Sequence, residues 1–144
     1  MKKMLNNFLG KQISCISRCC NLACLCFAHE NDEINLHIQC FFRLLHNNKV
    51  ILSSEDMGYC HENIDDQDFD WSTPGKSIYD IDLKNNKDFI CSTPVKSAEQ
   101  NETGDLLIEF ENGLKLEVFI DSTREWEKYR IFDDDYCVEV PADI

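Results

Sequence analysis

The stretch from Leu106 to Ile120 constrains the fold more than any other part of this sequence. Leu106, Ile108 and Phe110 recur every second residue. After Asn112-Gly113 the period resumes with Leu114, Leu116, Val118 and Ile120, alternating with Lys115, Glu117 and Phe119. A period of two places alternate side chains on opposite faces of a strand. Asn-Gly accepts the positive φ of a tight turn. The segment therefore predicts an antiparallel hairpin, with strands at 105–110 and 114–120. Segments 95–99, 126–132 and 136–140 read as further strands. Upstream, 22–28 is a short apolar run without charge, consistent with a buried strand. Residues 34–45 read as one long strand, with Leu36, Ile38, Cys40 and Phe42 on one face and His37, Gln39, Phe41 and Arg43 on the other. His46-Asn47-Asn48 would turn it into a partner strand at 49–53.

Two helices complete the expectation. Met4, Leu5, Phe8 and Leu9 share one face of a short helix over 2–9, stopped by Gly10. Ser77 can cap a helix near 77–87, with Asp80 in its first turn. Residues 11–20 are ambiguous and 54–76 read as an irregular loop. The predicted fold class is α+β, a β-dominated antiparallel sheet with an N-terminal helix and one short helix near 77–87, forming a single domain over 1–144.

Composition then bounds the partners. The chain has 43% hydrophobic and 10% aromatic residues, enough for a packed core, so its acidity is not a sign of disorder. It carries 14 Lys and Arg against 27 Asp and Glu, a net charge of −13. The excess is uneven. Residues 1–50 hold six basic and three acidic side chains, leaving 8 basic and 24 acidic for the remainder. Such a field repels nucleic acid and anionic membranes and attracts basic proteins.

Nine cysteines are an odd number at irregular spacing, six of them before residue 41. That pattern predicts reduced thiols, mostly buried as small hydrophobes in a cytoplasmic protein, rather than a secreted disulfide framework. Met1-Lys2-Lys3 imitates the start of a signal peptide, but Asn6, Asn7, Lys11, Gln12 and Arg18 interrupt the apolar stretch that should come next.

No catalytic signature stands out. Cys15, Cys19, Cys20, Cys24, Cys26 and His29 invite a zinc hypothesis, but their spacing lacks two paired clamps, and the expectation is no metal. His37 and Cys40 lie three apart on a predicted strand and so point to opposite faces, out of reach as a base and nucleophile. There is no Gly-rich phosphate loop, Gly-x-Ser-x-Gly or His-Glu-x-x-His. The expectation is that the chain is not an enzyme, has no catalytic residues and takes no cofactor.

Acidic residues interleaved with aromatic ones remain, over 55–71 and 121–136. A run of charge is usually a solvated surface. Here Tyr and Trp add interface anchors, and carboxylates add steering for a basic partner. Tyr59, Glu62, Asp65, Asp66, Asp68, Asp70 and Trp71 are the first candidates for partner binding, with Asp133, Asp134 and Asp135 second.

Several segments also carry a family resemblance. Arg18-Cys19-Cys20-Asn21-Leu22, Leu36-His37-Ile38-Gln39-Cys40-Phe41-Phe42-Arg43 and Ser54-Glu55-Asp56-Met57 are among them. So are the stretch from Gly104 to Gly113 and Glu125-Trp126-Glu127-Lys128-Tyr129-Arg130-Ile131-Phe132. Together they resemble a family of small uncharacterised bacterial proteins similar to the immunity proteins of toxin–immunity systems, contact-dependent inhibition among them. The resemblance departs at Phe41-Phe42, where that family has Pro-Trp, and at Cys19 and Cys20, where it has small residues. It implies a cytoplasmic immunity protein that binds and neutralises a toxin domain, and it assigns no catalytic residue. Combined with the charge, the expected partner is a basic toxin domain, a nuclease, whose active site is occluded, with no nucleic acid or membrane bound directly. The alternatives are a small-ligand- or metal-binding enzyme, with a pocket lined by His37, Gln39 and Arg43 or by thiols, and a homo-oligomeric structural subunit.

Overall fold

Alternate residues of most strands are buried, as in Ile34, Leu36 and Ile38 or Leu106, Ile108 and Phe110. A strand patterned this way has one apolar face, and it must pair and stack to hide that face from water. The computed structural model describes residues 1–62 and 69–141. In chain order the elements are helix α1 (Lys2–Asn6), strands β1 (Gln12–Cys19), β2 (Leu22–His29), β3 (Asp32–Ile38), β4 (Phe41–His46) and β5 (Lys49–Ser53), and a 3-10 turn (Ser54–Gly58). Helix α2 (Ile78–Ile90) comes next, then β6 (Val95–Gln100), β7 (Leu106–Phe110), β8 (Lys115–Phe119), β9 (Tyr129–Phe132) and β10 (Cys137–Val140).

The strands form two five-stranded antiparallel sheets, ordered β1-β2-β3-β9-β10 and β5-β4-β8-β7-β6. Their apolar faces meet in one core. Phe27 of β2 and Phe110 of β7 stack across it with ring centroids 6.3 Å apart, and Phe8 packs edge-on against Phe27 at 4.9 Å. The buried Tyr129 of β9 crosses to the other sheet, its hydroxyl donating to the Gly104 carbonyl at 2.6 Å and accepting from Gln100 Nε2 at 2.7 Å. Tyr79 of α2 meets Phe42 of β4 at 6.1 Å. Each fully buried aliphatic or aromatic side chain stabilises the fold by about 1.5–3 kcal/mol. The α+β, β-dominated class and both helices agree with the sequence reading.

The turns obey local chemistry. Asn47 and Asn48 both have positive φ, 53° and 62°, as a two-residue hairpin between β4 and β5 requires. Gly113 has φ 89° and closes a three-residue loop, with its N–H donating to the Phe110 carbonyl at 3.1 Å and the Phe110 N–H to the Leu114 carbonyl at 2.9 Å. Ser77 caps α2 by accepting from the Asp80 N–H at 3.1 Å, and Asp80 returns the bond to the Ser77 N–H at 3.2 Å.

Three expectations need correction. The cysteines are not mostly buried: only Cys40 is, while Cys15, Cys19, Cys20 and Cys137 are exposed, and Cys24 and Cys26 alternate with the buried Ala23, Leu25 and Phe27 and so take the outer face of β2. The strand expected over 34–45 is two strands in different sheets, broken at Gln39 and Cys40. The inward alternation nevertheless continues unbroken, with Leu36, Ile38, Cys40 and Phe42 all buried. The chain crosses between two sheets that face the same interior, so inside remains inside. The strand expected over 126–132 begins only at Tyr129, and the preceding residues form an irregular loop with Trp126 exposed.

Candidate functional site

One arginine organises the segment that carries the first candidates. Arg18 ends the inner face of β1, two residues beyond the buried Ile16, and its side chain is 2% exposed. Its Nε and Nη2 donate to the two carboxylate oxygens of Asp80, each at 2.8 Å. Nη1 donates to the carbonyls of Cys20 and Trp71, both at 2.8 Å, and Nη2 reaches the Thr73 carbonyl at 3.5 Å. Asp80 also accepts from the Gly75 N–H and the Ser77 hydroxyl, both at 2.8 Å. Burial alone would raise the Asp80 carboxyl. The Arg18, Gly75 and Ser77 hydrogen bonds outweigh it and hold the group at about 2. The bond to Asp80 in turn raises Arg18 above its ordinary value. The charge pair sits at the first turn of α2, where a carboxylate is favoured by the helix dipole.

This node fixes the loop backbone while leaving its rings outside. Trp71 is 49% exposed although its carbonyl is held by Arg18. Tyr59 is 55% exposed although its carbonyl accepts from the Ile78 N–H at 2.8 Å, beside a β-bridge between Cys60 and Ser77. Asp70 folds its own turn, accepting from the Ser72 hydroxyl and N–H at 2.6 and 3.0 Å and from the Thr73 hydroxyl at 3.1 Å. These bonds hold its carboxyl below the usual carboxylate range. Glu62 is exposed. Asp65, Asp66 and Asp68 lie outside the described residues.

A second tryptophan joins this end of the molecule. Trp126 is 59% exposed, with the Arg124 guanidinium 4.3 Å from its ring centroid. Its loop is anchored by the buried Lys128, which bonds Ser122 and pairs with Asp121 at 3.7 Å, and by Glu127, which accepts from Gln39 Nε2 at 2.9 Å. Trp126 and Asn21 of the β1–β2 turn both line a cavity of about 520 Å³. Cys20 of the same turn shares Arg18 Nη1 with Trp71. The turn thus borders the Trp126 cavity and shares a donor with the Trp71 backbone. Sequence reading places Trp126 in a strand and so misses it as a site residue. The polar run Asp121-Ser122-Thr123-Arg124-Glu125 just before it is the available signal.

The second candidate group lies elsewhere. Asp133, Asp134 and Asp135 form the β9–β10 turn. Phe132 pairs with Asn35, which places that turn beside Asp32 and Glu33 and at the level of the start of β1. Arg18, which holds the Trp71 carbonyl, lies near the end of β1 and pairs with Ala23, five residues along β2 from the Ala28 opposite Gln12, or roughly 17 Å at the rise of a strand. The described candidates therefore divide between opposite ends of one sheet. Asp133 is engaged locally, accepting from the N–H groups of Asp135 and Tyr136 at 2.9 and 2.8 Å, which lowers its carboxyl below the usual range.

The residues named for an enzyme pocket do not converge. His37 packs edge-on against Phe132 at 4.8 Å, Gln39 is bonded to Glu127, and Arg43 is in the other sheet, near Glu117 at 3.5 Å. Among the described residues no three His, Cys, Asp or Glu side chains are placed to hold a metal ion. No helix among them is long and apolar enough to cross a membrane. Comparison of the chain with protein-family models, curated proteins and solved structures gives no match.

Proposed function

We propose that this chain is an immunity protein that binds a basic toxin domain, a nuclease, and neutralises it by covering its active site. The observation that carries the reading is the exposure of Trp71 and Trp126 beside the β1–β2 turn and of Tyr59 beside the α2 N-terminus, on backbone held in place by the buried Arg18–Asp80 pair and by hydrogen bonds. Rigid exposed rings lose little entropy on binding and make strong interface anchors. Glu62, Asp70, Asp121 and Glu125 are exposed around them in a chain of net charge −13. A nuclease cleft is lined by Lys and Arg for phosphate contact, so such a face competes for it with the substrate. Charge speeds encounter, and buried rings slow release.

The test begins with the genes flanking this one. A neighbouring reading frame with a basic C-terminal domain supplies the partner, which is purified and mixed with the full chain. The reading requires a complex that suppresses the domain's nuclease activity and associates more slowly as salt is raised. Trp71→Ala and Trp126→Ala should each weaken it by at least about 30-fold, the loss expected at an interface hot spot. Tight binding that ignores both substitutions would place the interface elsewhere, and no inhibition of any adjacent basic domain would remove the reading.

A further inference from the structure

The β1–β2 ladder sets Cys15 directly opposite Cys26. The next pair along, Ile16 and Leu25, is buried, so strand alternation turns both thiols to the outer face of the sheet. Cys15 is exposed and Cys26 half-buried, and both thiols are free. Ser14 is the extra residue of a bulge between Ile13 and Cys15, and its hydroxyl donates to the Cys26 carbonyl at 3.2 Å. A bulge of this kind fixes the register of the pairs beyond it. Directly opposed residues of an antiparallel pair have Cα atoms about 4.5–5.5 Å apart, inside the range a disulfide spans.

No other two cysteines face each other in the ladders. Cys24 faces Ser17 and His37, Cys19 faces Leu22, and Cys137 faces Phe132. Diagonal neighbours on such a face stand about 7–8 Å apart, too far to bridge without backbone movement. Burial also raises the Cys24 thiol above its ordinary value, reinforced by Cys19 and Cys15, which keeps it in the less reactive protonated form.

We propose that Cys15 and Cys26 are a thiol–disulfide exchange site, closing to a reversible cross-strand disulfide at the expense of a small disulfide of the oxidised-glutathione class. The exposed Cys15 thiolate attacks one sulfur of the small disulfide, forming a mixed disulfide and releasing one small thiolate. The Cys26 thiolate then attacks the Cys15 sulfur and releases the second. Two protein thiols are oxidised, one small disulfide is reduced, and the two protons end on the released thiols. The bond would lock the β1–β2 hairpin, whose far turn borders the Trp126 cavity and shares Arg18 with the Trp71 carbonyl.

The test uses the full chain equilibrated with oxidised and reduced glutathione at graded ratios, quenched with N-ethylmaleimide and weighed intact. Alkylated thiols should fall from nine to seven, and excess reductant should restore nine. Tryptic peptide 12–18 contains Cys15 as its only cysteine and should become linked to peptide 19–43, with fragmentation placing the bond on Cys26. Cys15→Ser and Cys26→Ser should each keep all eight remaining thiols, whereas Cys24→Ser should still lose two. A linkage mapped to another pair, stable glutathione adducts without a cross-link, or two thiols lost equally in Cys15→Ser would overturn the assignment. If a serine variant does not fold, as judged by circular dichroism, the wild-type peptide map decides alone.

Discussion

Arg18 and Asp80 stand 62 residues apart in the chain and meet through two parallel hydrogen bonds of 2.8 Å. Bidentate pairing fixes both the distance and the plane of the two groups. Because Arg18 also holds the carbonyls of Cys20 and Trp71, one guanidinium sets the β1–β2 turn, the α2 N-terminus and the Trp71 backbone in relation to each other. A lysine could supply the charge but not these five directed donors.

Breaking this pair should be expensive. The two side chains are 2% and 8% exposed, so removing one leaves the other charged, buried and without its partner. Arg18→Met or Asp80→Leu is expected to destabilise the fold by about 3–5 kcal/mol. The double variant Arg18→Met/Asp80→Leu should lose markedly less than the sum of the two single changes, since no orphan charge remains. Urea denaturation of the four proteins measures both quantities.

The same carboxylate gives acid sensitivity with a definite window. Asp80 titrates at about 2 in the fold and at about 4 in the unfolded chain. Its folded-state value is depressed, so its contribution is fully present above about pH 4 and is lost as the pH falls toward 2. Asp80→Asn should flatten that part of the stability profile. The difference in urea midpoint between wild type and variant should shrink steadily between about pH 4 and pH 2.

The parts of this fold written in local chemistry were legible. Asn47 and Asn48, Gly113, and the reciprocal cap of Ser77 and Asp80 each declare themselves within a few residues. The crossing at Gln39 and Cys40 was not legible, because inward parity passes through it unchanged. What holds it is distant: the Gln39 N–H bonds the Lys128 carbonyl at 2.7 Å, and the Phe41 N–H bonds Asp121 at 3.0 Å. The face around the β1–β2 turn was half legible. Tyr59 and Trp71 could be read from an acidic loop. Trp126 joins them only because the first sheet brings residues 21 and 126 together.

The β4–β5 turn offers a test of backbone strain free of packing. Side chains in the left-handed region cost about 1–2 kcal/mol in general, and Asn is among the few that tolerate it. Asn47→Ala and Asn48→Ala should therefore each lower stability by about 1 kcal/mol, while Asn48→Gly should match or exceed wild type. Thermal unfolding monitored by circular dichroism compares the three.

His37 should titrate below the ordinary imidazole value. Burial lowers its basicity, and the nearby Arg130 lowers it further, against a smaller opposing effect of Glu127. Burial and Arg130 together therefore disfavour protonation in the fold. In NMR its ring protons should shift at a pH below the ordinary histidine value of about 6.5. A folded-state value lowered in this way contributes stability above that pH and loses it as the solution is acidified through it. His37→Gln should remove that portion of the dependence.

The two tryptophans of the chain allow the candidate faces to be separated spectroscopically. Both are about half exposed or more, and both belong to the end of the first sheet that bears the β1–β2 turn. The free protein should emit at long wavelength and be quenched readily by acrylamide. A basic partner docking over Trp71 and Trp126 should move the emission to shorter wavelength and protect both rings, with Trp71→Phe and Trp126→Phe each retaining part of the signal. A partner that docks instead on Asp133, Asp134 and Asp135, roughly 17 Å away along the strands, should leave emission and quenching unchanged while binding persists. Changing those three aspartates to asparagine then tells the faces apart in the opposite sense. Loss of binding with a silent tryptophan signal moves the interface to the β9–β10 turn, and retained binding with a blue shift keeps it on the rings.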